Sequence, residues 1–221
     1  MLHLPHNHGR ALARNAGIAR ARTEAVLSLD ADDALEPGHL AATVPALLAD
    51  PTTGIVYTDY RLFGQRSGVM RAEPYIERNL YRRQYIFAGS LFRRSLFART
   101  RGYCDEFRIG NEDWDLWLTL VEAGAHAAWV AAPLYRYRLH AQSWSSAAAG
   151  SDDADFRSRI LLLDHHRAAF DRHGATRAFL AETYRRQAGA LQRGGDLERA
   201  RAAWRQVVRH APWDLWARCK A

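Results

Sequence analysis

The stretch Val26-Leu27-Ser28-Leu29-Asp30-Ala31-Asp32-Asp33 decides the fold of this 221-residue chain. An apolar run that closes on three carboxylates reads as a buried strand with dense negative charge at its C-terminal edge. In open α/β sheets the ligand crevice lies beyond the carboxyl ends of the strands. Hard divalent cations prefer carboxylate and water oxygens, and they commonly bridge protein carboxylates to substrate phosphates. The run therefore predicts a cation-assisted site at a strand end. On an extended chain Asp30 and Asp32 share one side and Asp33 turns away, unless the strand has already broken into a loop. A simpler role for Asp33 is to cap the next helix, whose start Glu36-Pro37 signals.

Outward from this run, the chain alternates between helical and extended patterns. Gly9 to Arg22 is rich in Ala, Leu and Arg and reads as a helix leading into the strand Ala25 to Leu29. Glu36 to Ala49 reads as a second helix, closed by Asp50-Pro51. Ile55 to Tyr60 is a β-rich run, Gly64 to Gly68 the turn of a hairpin, and Phe87 to Phe92 a further strand. Glu112 to Glu122 carries Trp114, Leu118 and Val121 at helical spacing and stops at Gly124. Alternating Tyr135, Tyr137 and Leu139 predict a strand ending at His140. This is an α/β alternation. The Ala/Ser/Gly-rich segment Ser145 to Ser151 marks a boundary, and everything after Phe156 reads as helix.

Composition narrows the class. Hydrophobic residues make up 48% of the chain and charged residues 25%, the balance of an ordinary globular protein. No run approaches the ~20 apolar residues that span a bilayer, and no signal-peptide core is present in this sequence. The cytoplasm is the expected compartment, with peripheral contact at the inner membrane face left open. Cys104 and Cys219 lie far apart, which supports neither a zinc site nor a disulfide framework. The net charge of +7 comes almost wholly from scattered arginines, with Lys220 the one lysine. A basic balance without a recognition motif does not point to nucleic acid, and it suits an anionic nucleotide substrate equally well.

Taken together, Asn7-His8-Gly9, Ala13-Arg14-Asn15-Ala16-Gly17-Ile18, Leu29-Asp30-Ala31-Asp32-Asp33 and Asn111-Glu112-Asp113-Trp114 resemble family 2 glycosyltransferases of the GT-A fold, in order and spacing. The resemblance covers about Leu2 to Ser146. It implies a GT-A fold lacking its first strands over residues 1–146, and residues 147–221 follow as a helical C-terminal extension. That extension contains Gly195 to Ala200, Trp204 and Pro212, which resemble half of a tetratricopeptide repeat. Fewer than about three such repeats do not stand alone, so packing against the catalytic domain is the expected role.

The resemblance also implies an inverting, metal-dependent transfer from a nucleotide-activated sugar, usually a UDP-sugar, to a hydroxyl of a glycan, lipid-linked or other acceptor. In that reading Arg14, Asn15, Asp30, Asp32, Arg138 and Ser143 face the donor. Asp32 and His140 hold Mn²⁺ or Mg²⁺, His140 through its place in Tyr137-Arg138-Leu139-His140, which resembles the family's later YRxH element. Asp113 is the general base, with Glu112 beside it. Without the family, the same two carboxylates would simply favour the dipole of a helix start. Gly89, Ser90 and Trp114 fall on the acceptor side, with Tyr57 and Asp59 bordering the sugar.

Complete members begin with a strand and a second, acid-bearing strand that form the nucleobase pocket, and neither precedes Asn7 here. An N-terminally shortened member is the expectation, with the strand before Asp30 central in the full fold and a weakly stable or inactive chain as the consequence. A haloacid-dehalogenase-type phosphatase also opens on an apolar strand and DxD, but it wants Thr or Val where Ala34 stands. A calcium loop fails at Ala34 and at Leu35, where glycine is required. The non-enzymatic alternative is a helical interaction module on a degenerate glycosyltransferase remnant.

Overall fold

The computed structural model describes residues 2–3, 6–7, 9–140 and 152–221. The chain divides into two compact units. The first holds the described residues of Met1–Leu80, Gln84–Arg108 and Glu112–Ser143, and the second those of Tyr81–Arg83, Ile109–Asn111 and Trp144–Ala221. The boundary expected at 146/147 falls outside the described residues. That Tyr81–Arg83 and Ile109–Asn111 group with the second unit was signalled by no break in the sequence.

The first unit is built on one sheet. Its elements in chain order are α1 (Gly9–Arg20), β1 (Ala25–Leu27), β2 (Ala34–Leu35), α2 (His39–Leu48), β3 (Thr53–Gly64), β4 (Gly68–Met70), α3 (Glu77–Leu80), β5 (Leu91–Arg93), α4 (Arg94–Phe97), α5 (Glu112–Glu122) and β6 (His126–Leu139). The strand order is β1-β5-β3-β6-β2, with β4 paired to β3. β3 and β6 run parallel from Thr53↔His126 to Gly64↔Leu139, and the remaining pairings are antiparallel. A parallel pair needs a long crossover, and the chain from β4 through α5 supplies it.

Burial explains why these segments are strands. β3 is buried continuously over its first seven residues, as a central strand must be. Val56 and Leu91 meet Leu47 of α2 in one apolar cluster, with Ala25, Leu27 and Val130 packed around it. Each such buried side chain contributes about 1.5–3 kcal/mol relative to exposure. On the other hand, the strand entering the acidic run is shorter than its sequence suggests and lies at the end of the strand order, with β5 its one partner among the described residues. In this chain the strand is thus an edge of the sheet, and not the central strand it is expected to be in a full-length fold. Leu29 lies past β1 and is 47% exposed. The Phe87–Phe92 strand likewise shrinks to Leu91–Arg93, because Ala88 and Gly89 form a turn. β6 begins nine residues earlier than its Tyr/Leu alternation shows, since its first half, His126-Ala127-Ala128-Trp129-Val130, is small and mixed in character.

In the second unit the helices are α6 (Asp152–His165), α7 (Arg167–Arg172), α8 (Thr176–Arg193), α9 (Leu197–His210) and α10 (Leu215–Lys220). Phe170, Phe179 and Trp204 are its large buried side chains. Tyr81 joins it by stacking on His173 at 4.5 Å and meeting the edge of Phe170 at 5.3 Å. The α8–α9 turn uses Gly195 at φ 84°, and Asp196 caps α9 by accepting from the Arg199 N–H. No helix among the described residues is long and apolar enough to cross a membrane.

Candidate active site

Three side chains of the acidic run leave in three directions, because the chain breaks into a turn after β1. The Asp33 N–H donates to the Asp30 carbonyl at 3.1 Å and closes that turn. Asp30 accepts from Arg14 Nη2 at 2.5 Å. Asp32 Oδ2 lies 3.0 Å from His140 Nε2. Asp33 accepts from the Tyr135 hydroxyl at 2.7 Å and from the Arg138 N–H at 2.8 Å. Asp33 therefore does not cap α2, whose N-cap is Gly38. It fastens the turn to β6. The short β2–β6 ladder, Ala34↔Arg136 and Leu35↔Tyr135, fixes the same register.

From α1, Arg14 reaches both acidic motifs. Its Nη1 donates to Glu112 Oε1 at 3.1 Å while Nη2 holds Asp30. Arg10, four residues earlier and so on the same helix face, donates to the other Glu112 oxygen at 3.2 Å. Glu112 is buried at the start of α5, and two arginines offset its desolvation. Burial by itself lowers the Arg14 pKa, but Tyr103, Asp30 and Glu112 reverse this and hold the guanidinium charged above its ordinary value. Its Cζ sits 5.3 Å over the Tyr103 ring.

Asp113 is set apart from this ion pair. Its Oδ2 accepts from Gln84 Nε2 at 2.7 Å and its Oδ1 from the Trp114 N–H at 2.9 Å. Burial, and then the charge of Glu112 beside it, push its pKa up to about 6. Asp32 moves the other way, because the hydrogen bond with His140 outweighs its slight desolvation and holds the carboxyl below the usual range. One carboxylate is thus tuned to take a proton near neutrality and another to remain anionic.

The structure brings Arg14, Asp30 and Glu112 into one network and Asp32, Arg138 and His140 into another, with Asp113 next to Glu112 in the chain but bonded to Gln84. Arg138 donates from Nε to the Asp32 carbonyl at 2.8 Å, with its guanidinium 4.3 Å over the Phe63 ring. Ser143 lies outside the described residues. Four expected residues are used by the fold instead. The Asn15 amide is paired on both sides with the Tyr103 backbone, donating at 2.8 Å and accepting at 3.0 Å, which anchors α1. Ser90 is buried and donates to the Phe87 carbonyl of its own turn at 2.6 Å. Gly89 makes room for the ring of Tyr135, since a Cβ there would lie 2.0 Å from Cε2. Trp114 is a core residue, 1% exposed, with its indole N–H on the Leu80 carbonyl at 2.8 Å. Tyr57 and Asp59 are also buried, Tyr57 bonding the Glu73 carbonyl and Asp59 the Ala72 N–H and Trp129 indole.

Sequence reasoning missed Arg10, Gln84 and Tyr135. Arg10 was findable from its four-residue spacing to Arg14 on a predicted helix. Tyr135 showed only as part of a strand pattern, and Gln84 carried no signal.

Comparison with known proteins places this geometry. Residues 1–116 match the model of glycosyl transferase family 2, a span that contains the acidic run, Arg14 and the Glu112-Asp113 pair. The chain is 31% identical over 161 residues to the O-antigen biosynthesis protein RfbC of Myxococcus xanthus. That alignment covers 72% of this chain but 12% of RfbC, so the chain spans a small part of that relative. The fold is similar to S. aureus TarS, with a TM-score of 0.58 at 16% identity, covering 98% of this chain and 42% of that one. It is also similar to the mannosyltransferase PcManGT from Pyrobaculum calidifontis, with a TM-score of 0.52 at 20% identity and 96% and 63% covered. With more than half its length inside the family match, and an α/β sheet of GT-A type beneath it, the chain belongs to glycosyl transferase family 2.

Proposed function

We propose that the chain moves a sugar from a nucleoside-diphosphate donor, in the first instance a UDP-sugar, to a hydroxyl acceptor with inversion of the anomeric carbon. The observation that carries this reading is the Arg14 bridge, which ties Asp30 of the DxD run to Glu112 beside Asp113. The neighbours support the donor class: TarS residues 1–349 are known in complex with UDP, and PcManGT in complex with GDP-Man and Mn²⁺.

Asp32 and His140 fit a divalent cation. Their facing atoms are 3.0 Å apart, about the separation of two adjacent ligands around an ion with bonds of ~2.1 Å. A carboxylate with an imidazole suits Mn²⁺ and tolerates Mg²⁺. A cation held there would offset the charge of the departing diphosphate. The chain's own residues do the rest. Arg138 adds fixed positive charge beside Asp32, and Arg14 keeps Asp30 and Glu112 ordered. Asp113 accepts the acceptor's hydroxyl proton as that oxygen bonds to the anomeric carbon and the bond to the diphosphate breaks. One base and one displacement give inversion.

Calorimetry of UDP and Mn²⁺ on this chain and on Asp32→Ala, with GDP and dTDP alongside, tests the reading. UDP binding that requires Mn²⁺ and disappears in Asp32→Ala is expected. Metal-independent binding, equal binding by the variant, or no binding to a demonstrably folded chain would overturn it.

A further inference from the structure

We propose that α9–α10 of the second unit docks on an anionic lipid surface through Trp213, Leu215 and Trp216. Trp213 and Leu215, at 72% and 70%, are the most exposed large apolar side chains among the described residues, and Trp216 beside them is 56% exposed. Three such side chains within four residues form a contiguous apolar patch, which a globular surface rarely leaves bare without a use. Packing does not account for them. Trp216 meets Trp204 edge-on at a centroid distance of 4.7 Å and still remains 56% exposed.

The charges around the patch choose the occupant. Arg209 stands four residues before Trp213, and Arg218 and Lys220 follow Trp216. All three are exposed, and none makes an ion pair among the described residues. Lys220 Nζ sits 5.6 Å from the Trp216 ring centre, as expected for residues four apart on one helix face. The nearby acid, Asp214, is already engaged: it caps α10 through the Ala217 N–H and pairs with Arg185 at 2.6 Å. The patch therefore offers indole rings beside cations, with the Asp214 carboxylate engaged by Arg185 and the Ala217 N–H. Tryptophan prefers the headgroup level of a bilayer, and unpaired Lys and Arg beside it are drawn to anionic lipid. A protein interface core, by contrast, is depleted of lysine. The apolar contribution is small, so the charges and the rings must act together, and salt must weaken the contact.

Vesicle co-sedimentation of the full chain tests this, with phosphatidylcholine vesicles against phosphatidylcholine/phosphatidylglycerol vesicles. The variants are Trp213→Ala/Leu215→Ala and Arg218→Glu/Lys220→Glu, which remove exposed atoms and are checked for unchanged circular dichroism. The parent is expected to sediment with anionic vesicles only, each variant to bind at least about tenfold more weakly, and added salt to release the parent. Equal binding by parent and variants, or no binding by the folded parent, would overturn the proposal. So would self-association of the parent that the Trp213→Ala/Leu215→Ala variant abolishes without any vesicle binding, which would assign the patch to a second copy. None of these residues belongs to the transfer machinery proposed above, so UDP binding in the same variants is expected unchanged and the two readings fail separately.

Discussion

Arg14 and Glu112 are 98 residues apart in the chain and joined at 3.1 Å, with both side chains nearly buried. The same guanidinium holds Asp30 at 2.5 Å, so a single planar fork sets the spacing between the strand-end carboxylates and the start of α5. Removing one partner of a buried pair leaves the other charge uncompensated. Arg14→Ala is expected to cost about 3 kcal/mol, the low end of that range because Arg10 still reaches Glu112. Arg14→Lys keeps the charge but cannot span both carboxylates, and should lose about 1.5 kcal/mol. Urea unfolding at constant slope measures both, and equal stability of the lysine variant and the parent would refute the bridging role.

The Asp113 carboxyl, raised to about 6, predicts a pH profile. A base must be deprotonated, so transfer should be half-maximal near pH 6 and fall about tenfold per unit below it. Stability follows the opposite sense. A folded pKa above the unfolded value of about 3.9 favours the protonated form, a contribution complete below that value and lost as pH rises through about 6. Asp113→Asn should therefore be more stable than the parent at pH 7.5, with the difference vanishing near pH 4, while transfer drops about 10²–10⁴-fold. A variant that keeps its activity, or loses stability at pH 7.5, would exclude Asp113 as the base.

Gln84 donates its amide to Asp113 Oδ2 at 2.7 Å, and a hydrogen bond to the ionised form lowers a carboxyl pKa. Gln84→Leu should move the acid limb of the rate profile upward by about one unit, with KM for the donor unchanged. A uniform loss of rate at every pH would mean that Gln84 holds the fold and not the protonation of Asp113.

The part of the site legible in the sequence was the part encoded by residue type in short runs. Asp30, Asp32 and the Glu112-Asp113 pair stood out because consecutive carboxylates are costly unless something uses them. Arg14 was legible only through its motif, since nothing local says that a helix arginine will reach 98 residues along the chain. The environment of the acceptor-side residues was not legible for a related reason: Ser90 and Trp114 are buried and Gly89 sits in a turn, and without their neighbours a buried Trp and a sugar platform look the same in sequence. For the fold, β3 was readable from its β-rich run Ile55 to Tyr60 and α5 from its helical spacing, whereas the first half of β6 was hidden by Ala127 and Ala128, whose side chains carry little β signal.

Gly89 offers the sharpest test of how the turn holds Asp32. A Cβ at this position would lie 2.0 Å from Tyr135 Cε2, far inside contact distance, so Gly89→Ala must displace the ring. Tyr135 is the residue whose hydroxyl fixes Asp33, one step along the chain from Asp32. Overpacking of this kind costs about 1–3 kcal/mol. Gly89→Ala is expected to lose stability by that amount and also to weaken Mn²⁺-dependent UDP binding, because a loosened Asp33 frees Asp32 from His140. Tyr135→Phe keeps the ring and removes only the hydroxyl, so it should cost about 1 kcal/mol and reproduce the binding defect in part. Tyr135→Ala vacates the space a new methyl needs, and the double variant Gly89→Ala/Tyr135→Ala should be more stable than the sum of the single losses predicts. Strict additivity in that cycle would show that the glycine is required for some contact other than Tyr135.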